Sequence, residues 1–197
     1  ISGISGRVTD SFGNGLPGIL VNPVDLQNNW PGGTQTDANG NYTVFVKPGT
    51  YKVEFYIGAS DDRYFAPEWY NKKPTYNGAD SISVSPGVII PNINATLVAG
   101  GKIAGTVTNP SEIGVGIQWV SAHDLNDVGI KYVSTDNQGN YRLAVAPGKY
   151  KVQFNSTATS DGGHYAAEWW NDKSSAVLAD QINVNADQTT FNINTQL

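Results

Sequence analysis

The chain has 197 residues, a formal net charge of −5, and a charged fraction of only 15%, against roughly 25% in an average globular chain. The acidic balance excludes a nucleic-acid binder, which needs a basic face to meet phosphate, and no apolar run approaches the ~18 residues that insert across a bilayer. The absence of cysteine removes disulfides, thiolate chemistry and cysteine zinc sites, and two histidines, His123 and His164, cannot build a multi-histidine metal centre.

With 22 glycines and 10 prolines, the composition supplies turns rather than exposed helices, and the apolar period is two throughout. Ile4, Gly6 and Val8 alternate with Ser5, Arg7 and Thr9, which predicts a first strand. Asn28–Gly33 is an aperiodic loop around Trp30. Asp37-Ala38-Asn39-Gly40 reads as a turn, with Asp capping backbone amides and Gly in the left-handed position. Tyr42, Val44 and Val46 then alternate with Thr43, Phe45 and Lys47, and Tyr51, Val53 and Phe55 alternate with Lys52 and Glu54. Lys47-Pro48-Gly49-Thr50 between them predicts a tight hairpin with φ > 0 at Gly49. Strands near Ile82–Val84 and Pro91–Leu97 follow.

The chain then repeats itself. Thr36-Asp37-Ala38-Asn39-Gly40-Asn41-Tyr42 returns as Thr135-Asp136-Asn137-Gln138-Gly139-Asn140-Tyr141, 99 residues on. Pro48-Gly49-Thr50-Tyr51-Lys52-Val53-Glu54-Phe55 returns as Pro147-Gly148-Lys149-Tyr150-Lys151-Val152-Gln153-Phe154. Glu68-Trp69-Tyr70-Asn71 returns as Glu168-Trp169-Trp170-Asn171, now 100 residues on. The expected architecture is all-β: two tandem antiparallel sandwiches of about seven strands each, residues 1–99 and 100–197, joined at Ala99-Gly100-Gly101 by a linker of only ~10 Å reach.

The order Gly-x-Val, loop, Thr-Asp-x-x-Gly-x-Tyr, then Pro-Gly-x-Tyr-x-Val-x-Phe resembles the carboxypeptidase regulatory-like domain. The resemblance implies a transthyretin-like sandwich related to the B-type repeats of Gram-positive collagen adhesins, and an accessory, non-catalytic module of a secreted or surface protein. It names no ligand. The related adhesin repeats carry an internal Lys–Asn isopeptide bond; here Lys102, with Asn192 or Asn194 and Glu168, would have to supply it, and Gly3 breaks the pattern in the first copy.

Among candidate sites, the Glu-Trp-aromatic-Asn motif stands first. Adjacent residues of a strand face opposite ways, so one ring of Trp69/Tyr70 and of Trp169/Trp170 is expected outward. There it would stack on a sugar while Glu68, Asn71, Glu168 and Asn171 bond hydroxyls; the alternative is a buried lid with Glu68 accepting backbone amides. Trp30 has no counterpart in the second copy and sits in a loop, where function concentrates. Asp37, Asn39 and Asn41, with Asp136, Gln138 and Asn140, alternate like calcium ligands, but no acidic residue closes either loop, so the turn reading leads and no cofactor is required. Ser60-Asp61-Asp62 with Ser160-Asp161, and Asp124 with Asn126 and Asp127, are further acidic loops, read as solvated.

Enzymatic chemistry is poorly served. A glycosidase needs two carboxylates facing one cleft, and each copy has one distinctive Glu. His164 stands where the first copy has Tyr64, and His123 beside Asp124 has no nucleophile elbow. The expectation is a non-enzymatic module binding a polysaccharide or cell-surface glycan, with a rigid spacer as the alternative. A chain that starts at Ile1 and lacks methionine is expected to be a processed or excised piece of a larger extracellular or cell-surface chain, most naturally bacterial.

Overall fold

The structure is a computed structural model and describes residues 1–155 and 165–197. The chain divides into two compact units, Ile1–Val98 and Ala99–Leu197. In the first, β1 (Gly3–Thr9), β2 (Leu20–Asp25), β3 (Thr34–Gln35), β4 (Asn41–Phe45) and β5 (Gly49–Tyr56) precede four short strands. These are β6 (Glu68–Trp69), β7 (Ile82–Val84), β8 (Ile89–Ile90) and β9 (Ala95–Thr96). The described residues contain no helix.

Side-chain alternation puts Ile4, Val8, Tyr42 and Val44 on the inner face of one sheet and Val21, Tyr51, Val53 and Phe55 on the inner face of the other; all are buried. The first sheet runs β4-β1-β8, with β9 continuing beside β1; the second runs β3-β2-β5-β6, with β7 also against β5. Tyr42 and Phe55 meet across the core edge-on, ring centroids 5.9 Å apart. The all-β sandwich expected from the period-two pattern is thus the fold. Its strand pairs are antiparallel except that β8 and β9 run parallel to β1.

The second unit repeats the plan with β10 (Gly101–Thr108), β11 (Trp119–His123), β12 (Gly129–Ser134), β13 (Asn140–Val145) and β14 (Gly148–Phe154). Short strands β15 (Glu168–Trp169), β16 (Ile182–Val184), β17 (Thr189–Thr190) and β18 (Thr195–Gln196) complete it. Its sheets run β13-β10-β17 with β18, and β12-β11-β14-β15 with β16.

One expected turn is corrected. β4 pairs with β1, whereas β5 pairs with β2, so Lys47–Thr50 carries the chain from one sheet to the other rather than closing a hairpin. Gly49 is not among the positive-φ residues. The arch is held instead by the Tyr51 hydroxyl donating to Lys47 O at 2.9 Å, and Tyr150 does the same to Ala146 O at 2.8 Å.

The Asp37 turn forms as expected and proves to be one of a set. Asp37 Oδ1 accepts the N–H groups of Asn39 and Asn41, both at 2.8 Å, and Gly40 takes φ of 81°. The same five-residue loop, with the first side chain accepting from the amides two and four residues on, recurs at Asp10, Asp25, Asn109, Asp124 and Asp136. In each, the fourth residue has positive φ: Gly13, Asn28, Glu112, Asp127 and Gly139.

A second shared device fastens the break between β8 and β9. Ile93 N–H donates to Ser5 O, while Ile93 O points inward and accepts the Tyr42 hydroxyl at 2.6 Å. Gly6 leaves room for that carbonyl, since a Cβ there would lie 2.1 Å from it. Tyr141, Ile193 and Gly105 reproduce the arrangement, with a bond of 2.6 Å.

Candidate functional site

The Glu-Trp-aromatic-Asn motif is built as a strand running into a tight turn. Trp69 exchanges backbone hydrogen bonds with Lys73 at 2.8 and 3.0 Å, and Trp169 does so with Lys173 at the same distances. The intervening Asn71 and Lys72, and Asn171 and Asp172, all take left-handed φ. The Asn side chain has a structural partner: Asn71 Nδ2 donates to Asp80 at 2.5 Å and Asn171 Nδ2 to Asp180 at 2.6 Å. The carboxyls are also engaged. Glu68 accepts the Thr96 backbone amide, and burial pushes its carboxyl above the ordinary range, opposed by that bond and by Lys72. Glu168 accepts the Thr195 hydroxyl.

The first ring of each motif packs on the fold. Trp69 is half-buried and stands edge-on to Tyr76, centroids 5.4 Å apart. Trp169 is buried, edge-on to His123 at 4.8 Å. The second ring is half-buried in both copies, and Trp170 rests against the core of its unit.

Beside Trp170 a groove of about 570 Å³ opens. The turn after β15 contributes Trp170, Asn171 and Asp172; β10 contributes Thr106 and Thr108, and the β17–β18 segment contributes Asn194 and Gln196. An indole, hydroxyls, carboxamides and one carboxylate thus converge, an apolar face ringed by groups that donate and accept hydrogen bonds. The structure brings Trp170 and Asn171 together here, whereas Glu168 touches the neighbourhood through Thr195. The threonines escape sequence reasoning; their one signal is that they alternate with inward Val107.

Trp30 stands elsewhere, 64% exposed, after the Asp25–Asn29 loop. The following Pro31 lines a second groove of about 690 Å³ with Asp25, Phe45, Lys47, Pro48 and Tyr51. The motif residues of the first unit do not line it.

In the loops weighed for calcium, the oxygens serve the fold. Asp37 and Asp136 accept two backbone amides each and the Asn41 and Asn140 carboxamides at 3.4 and 3.3 Å. These amides, Asn41 foremost, hold the Asp37 carboxyl below its ordinary range. Asp61 pairs with Arg63 at 2.5 Å, Asp127 with Lys151 at 2.7 Å, and Asp124 caps its own loop. No group of three His, Cys, Asp or Glu side chains among the described residues is placed to hold a metal. Ser160, Asp161 and His164 lie outside the described residues.

The isopeptide pattern does not fit the register. Lys102 lies opposite Thr189, whereas Asn194 Oδ1 accepts Thr106 N–H four residues further along β10, ~13 Å away at the spacing of a strand. Asn192 is exposed while Lys102 is buried. Asn94 makes the same bond to Arg7 N–H in the first unit, so this Asn is a strand fastener in both. His123 is held between Ser121 Oγ at 3.0 Å and Asp127 O at 3.2 Å, and Ser121 is fully buried.

Fold and turns thus define a tandem pair of small sandwich modules. The model of the carboxypeptidase regulatory-like domain matches residues 3–66, which bears out the resemblance read from the turn motifs. The second unit repeats those motifs and that topology. The chain is 26% identical over 152 residues to halomucin of Haloquadratum walsbyi, covering 77% of this chain and 2% of that protein. It is 27% identical over 157 residues to the serine-aspartate repeat-containing protein D of Staphylococcus aureus, covering 74% and 12%. Among solved structures it is similar to the TIE protein of Bacillus anthracis (TM-score 0.40, 11% identity, 100% of this chain and 34% of that one). It is also similar to the major pilin subunit BcpA of Bacillus cereus (TM-score 0.34, 8% identity, 100% and 99%). The described residues contain no helix long and apolar enough to cross a membrane.

Proposed function

We propose that the chain is a non-catalytic accessory module of a larger extracellular or cell-surface protein, and that its second unit binds a neutral polysaccharide along the Trp170 groove. The observation that carries this reading is the convergence of Trp170 with Thr106, Thr108, Asn171, Asn194 and Gln196 on one open groove. A half-buried indole offers an apolar face to the C–H groups of a sugar ring at little entropic cost, and the surrounding hydroxyls and amides match its hydroxyls. The net charge of −5 disfavours sulfated or uronic polymers by like-charge repulsion. The small share of halomucin and of the staphylococcal protein that this chain spans supports a module within a longer surface protein. Trp30, exposed in the first unit, is the second candidate contact, and two weak sites on one chain would gain avidity on a polymer.

The test is affinity electrophoresis against neutral and anionic polysaccharides. Covering an indole face contributes about 1–2 kcal/mol, so Trp170→Ala should weaken binding about five- to thirtyfold in folded protein. Binding that survives Trp170→Ala but falls with Trp30→Ala would move the site to the first unit. The absence of retardation on every polymer would leave the chain a rigid spacer.

A further inference from the structure

Three Asn–Gly steps occur, at 14–15, 39–40 and 77–78. At such a step the glycine nitrogen, unshielded by a Cβ, can attack the preceding Asn Cγ. The fold disarms two of them. Asn14 donates through its N–H and its Nδ2 to Asp10, each at 2.9 Å, and Gly15 is packed so tightly that a Cβ would lie 2.0 Å from Asn39 O. Gly40 N–H donates to Asp37 O at 3.0 Å, and the Asp37 carboxylate, bonded to Asn39 N–H, repels negative charge on the same loop.

Asn77–Gly78 differs on each count. Both residues are exposed, and the nearest atom to a Cβ built on Gly78 is Thr75 Oγ1 at 3.7 Å. The Gly78 N–H meets Thr75 Oγ1 at 3.5 Å, the outer limit of a hydrogen bond. Above all, the Asn77 carbonyl accepts Lys52 Nζ at 3.3 Å. The ammonium is fixed there by Tyr76 O at 2.7 Å and by the Tyr76 ring, 4.5 Å from its centroid. When Gly78 N–H ionises, the charge is shared with Asn77 O, where Lys52 stabilises it in place. In the second copy, Val177–Leu178 replaces the step, and the equivalent Lys151 is neutralised by Asp127 at 2.7 Å; Asn28 stands at that position in the first copy.

We propose that Asn77–Gly78 is a site of intramolecular deamidation promoted by Lys52. Water takes the Gly78 amide proton, the nitrogen bonds to Asn77 Cγ, and the Cγ–Nδ2 bond breaks with ammonia leaving as it gains a proton. The resulting succinimide is opened by water to aspartate or isoaspartate. No oxidant or reductant enters. The product places a carboxylate on the residue whose carbonyl Lys52 already bonds, giving the first unit a charge partner comparable to the Lys151–Asp127 pair.

The test is timed incubation of the full chain at neutral pH, with peptide mapping of the amide-to-acid mass gain and enzymatic detection of isoaspartate. Folded protein should convert Asn77 at least about tenfold faster than Asn14 and Asn39, a factor that corresponds to 1.4 kcal/mol of barrier. In guanidinium the three rates should converge. Lys52→Met should slow Asn77 in the folded chain and leave the unfolded rate unchanged, while Lys52→Arg should retain most of the acceleration. Equal rates at the three sites in folded wild-type protein, or an Asn77 rate indifferent to Lys52→Met, would overturn the proposal.

Discussion

Tyr42→Phe removes one oxygen and leaves the ring, so it isolates the clasp on Ile93. The wild-type hydroxyl donates at 2.6 Å to a carbonyl enclosed between Tyr42 and Gly6. The ring keeps its edge-on contact with Phe55 at 5.9 Å in the variant, so no large cavity opens. What is lost is one hydrogen bond, and what remains is a buried acceptor without its donor, together about 1–3 kcal/mol. For a unit of about 100 residues each kcal/mol moves the midpoint by roughly 4–8 °C, so a shift on the order of 10 °C is expected. Tyr141→Phe should cost the second unit a similar amount, its hydroxyl donating at 2.6 Å to Ile193 O. The two sites share no partner, so their effects should add.

The same phenols set an alkaline limit. Burial raises both folded-state pKa values above the ordinary value of 10.0. A raised folded pKa means the stability is fully present below about pH 10 and is lost as pH climbs through the folded value, because only the unfolded phenol ionises easily. Urea titrations at pH 7 and at stepped alkaline pH should therefore show the wild type weakening above pH 10 and the double Phe variant weakening less. Tyr42→Phe and Tyr141→Phe each within about 0.5 kcal/mol of wild type at pH 7 would mean that water replaces the hydroxyl and the clasp argument is wrong.

Asp37→Ala should lower the melting temperature more than Asp37→Asn, because Asn109 already performs the same capping with a carboxamide. The depressed Asp37 pKa places its contribution above the ordinary carboxyl value of 3.8, to be lost as pH falls through the still lower folded value, and acid melts should show that loss shrinking in Asp37→Asn. EDTA should leave these melts nearly unchanged; a large EDTA effect confined to wild type would restore the calcium reading. Trp169→Ala should destabilise the second unit by about 3–5 kcal/mol through loss of a buried ring, so calorimetry must accompany any binding defect of that variant.

The period-two pattern sufficed for the fold class because it states which face of each strand is buried, and Ile4, Val8, Val44, Val53 and Phe55 obey it. It does not state which strand lies alongside. Val46 and Tyr51 flank Pro48-Gly49 as they would in a hairpin, and both are buried, yet the chain between them crosses from sheet to sheet. The Asp37 loop was legible because Gly40 marks its left-handed position. At Asp25, Asn109 and Asp124 that position is Asn28, Glu112 or Asp127, so the glycine signal is missing although the backbone is the same. The groove was half legible: Trp170 and Asn171 announce themselves as a motif, whereas Thr106, Thr108 and Gln196 are ordinary outward residues until the parallel pairing of β10 with β18 gathers them.

The two copies also separate what the sandwich demands from what it leaves open. Gly6, Tyr42 and Ile93 have exact equivalents in Gly105, Tyr141 and Ile193 because a Cβ or a missing hydroxyl would disturb a buried carbonyl. The Trp of the motif is kept because it packs, on Tyr76 in one unit and on His123 in the other. At the groove the copies diverge: Arg7 stands for Thr106, Tyr70 for Trp170 and Lys72 for Asp172. Arg7 is turned to its own unit, its Nε donating to Asn39 O at 3.0 Å, and Lys72 acts on Glu68. The second unit therefore presents hydroxyls, a broad indole and the Asp172 carboxylate on its groove, where the first has Arg7, Tyr70 and Lys72 at the equivalent positions. Thr108, Asn171 and Asn194 have the equivalents Thr9, Asn71 and Asn94, so the proposal of a neutral glycan in the second unit turns on groove residues that change, Trp170 and Thr106.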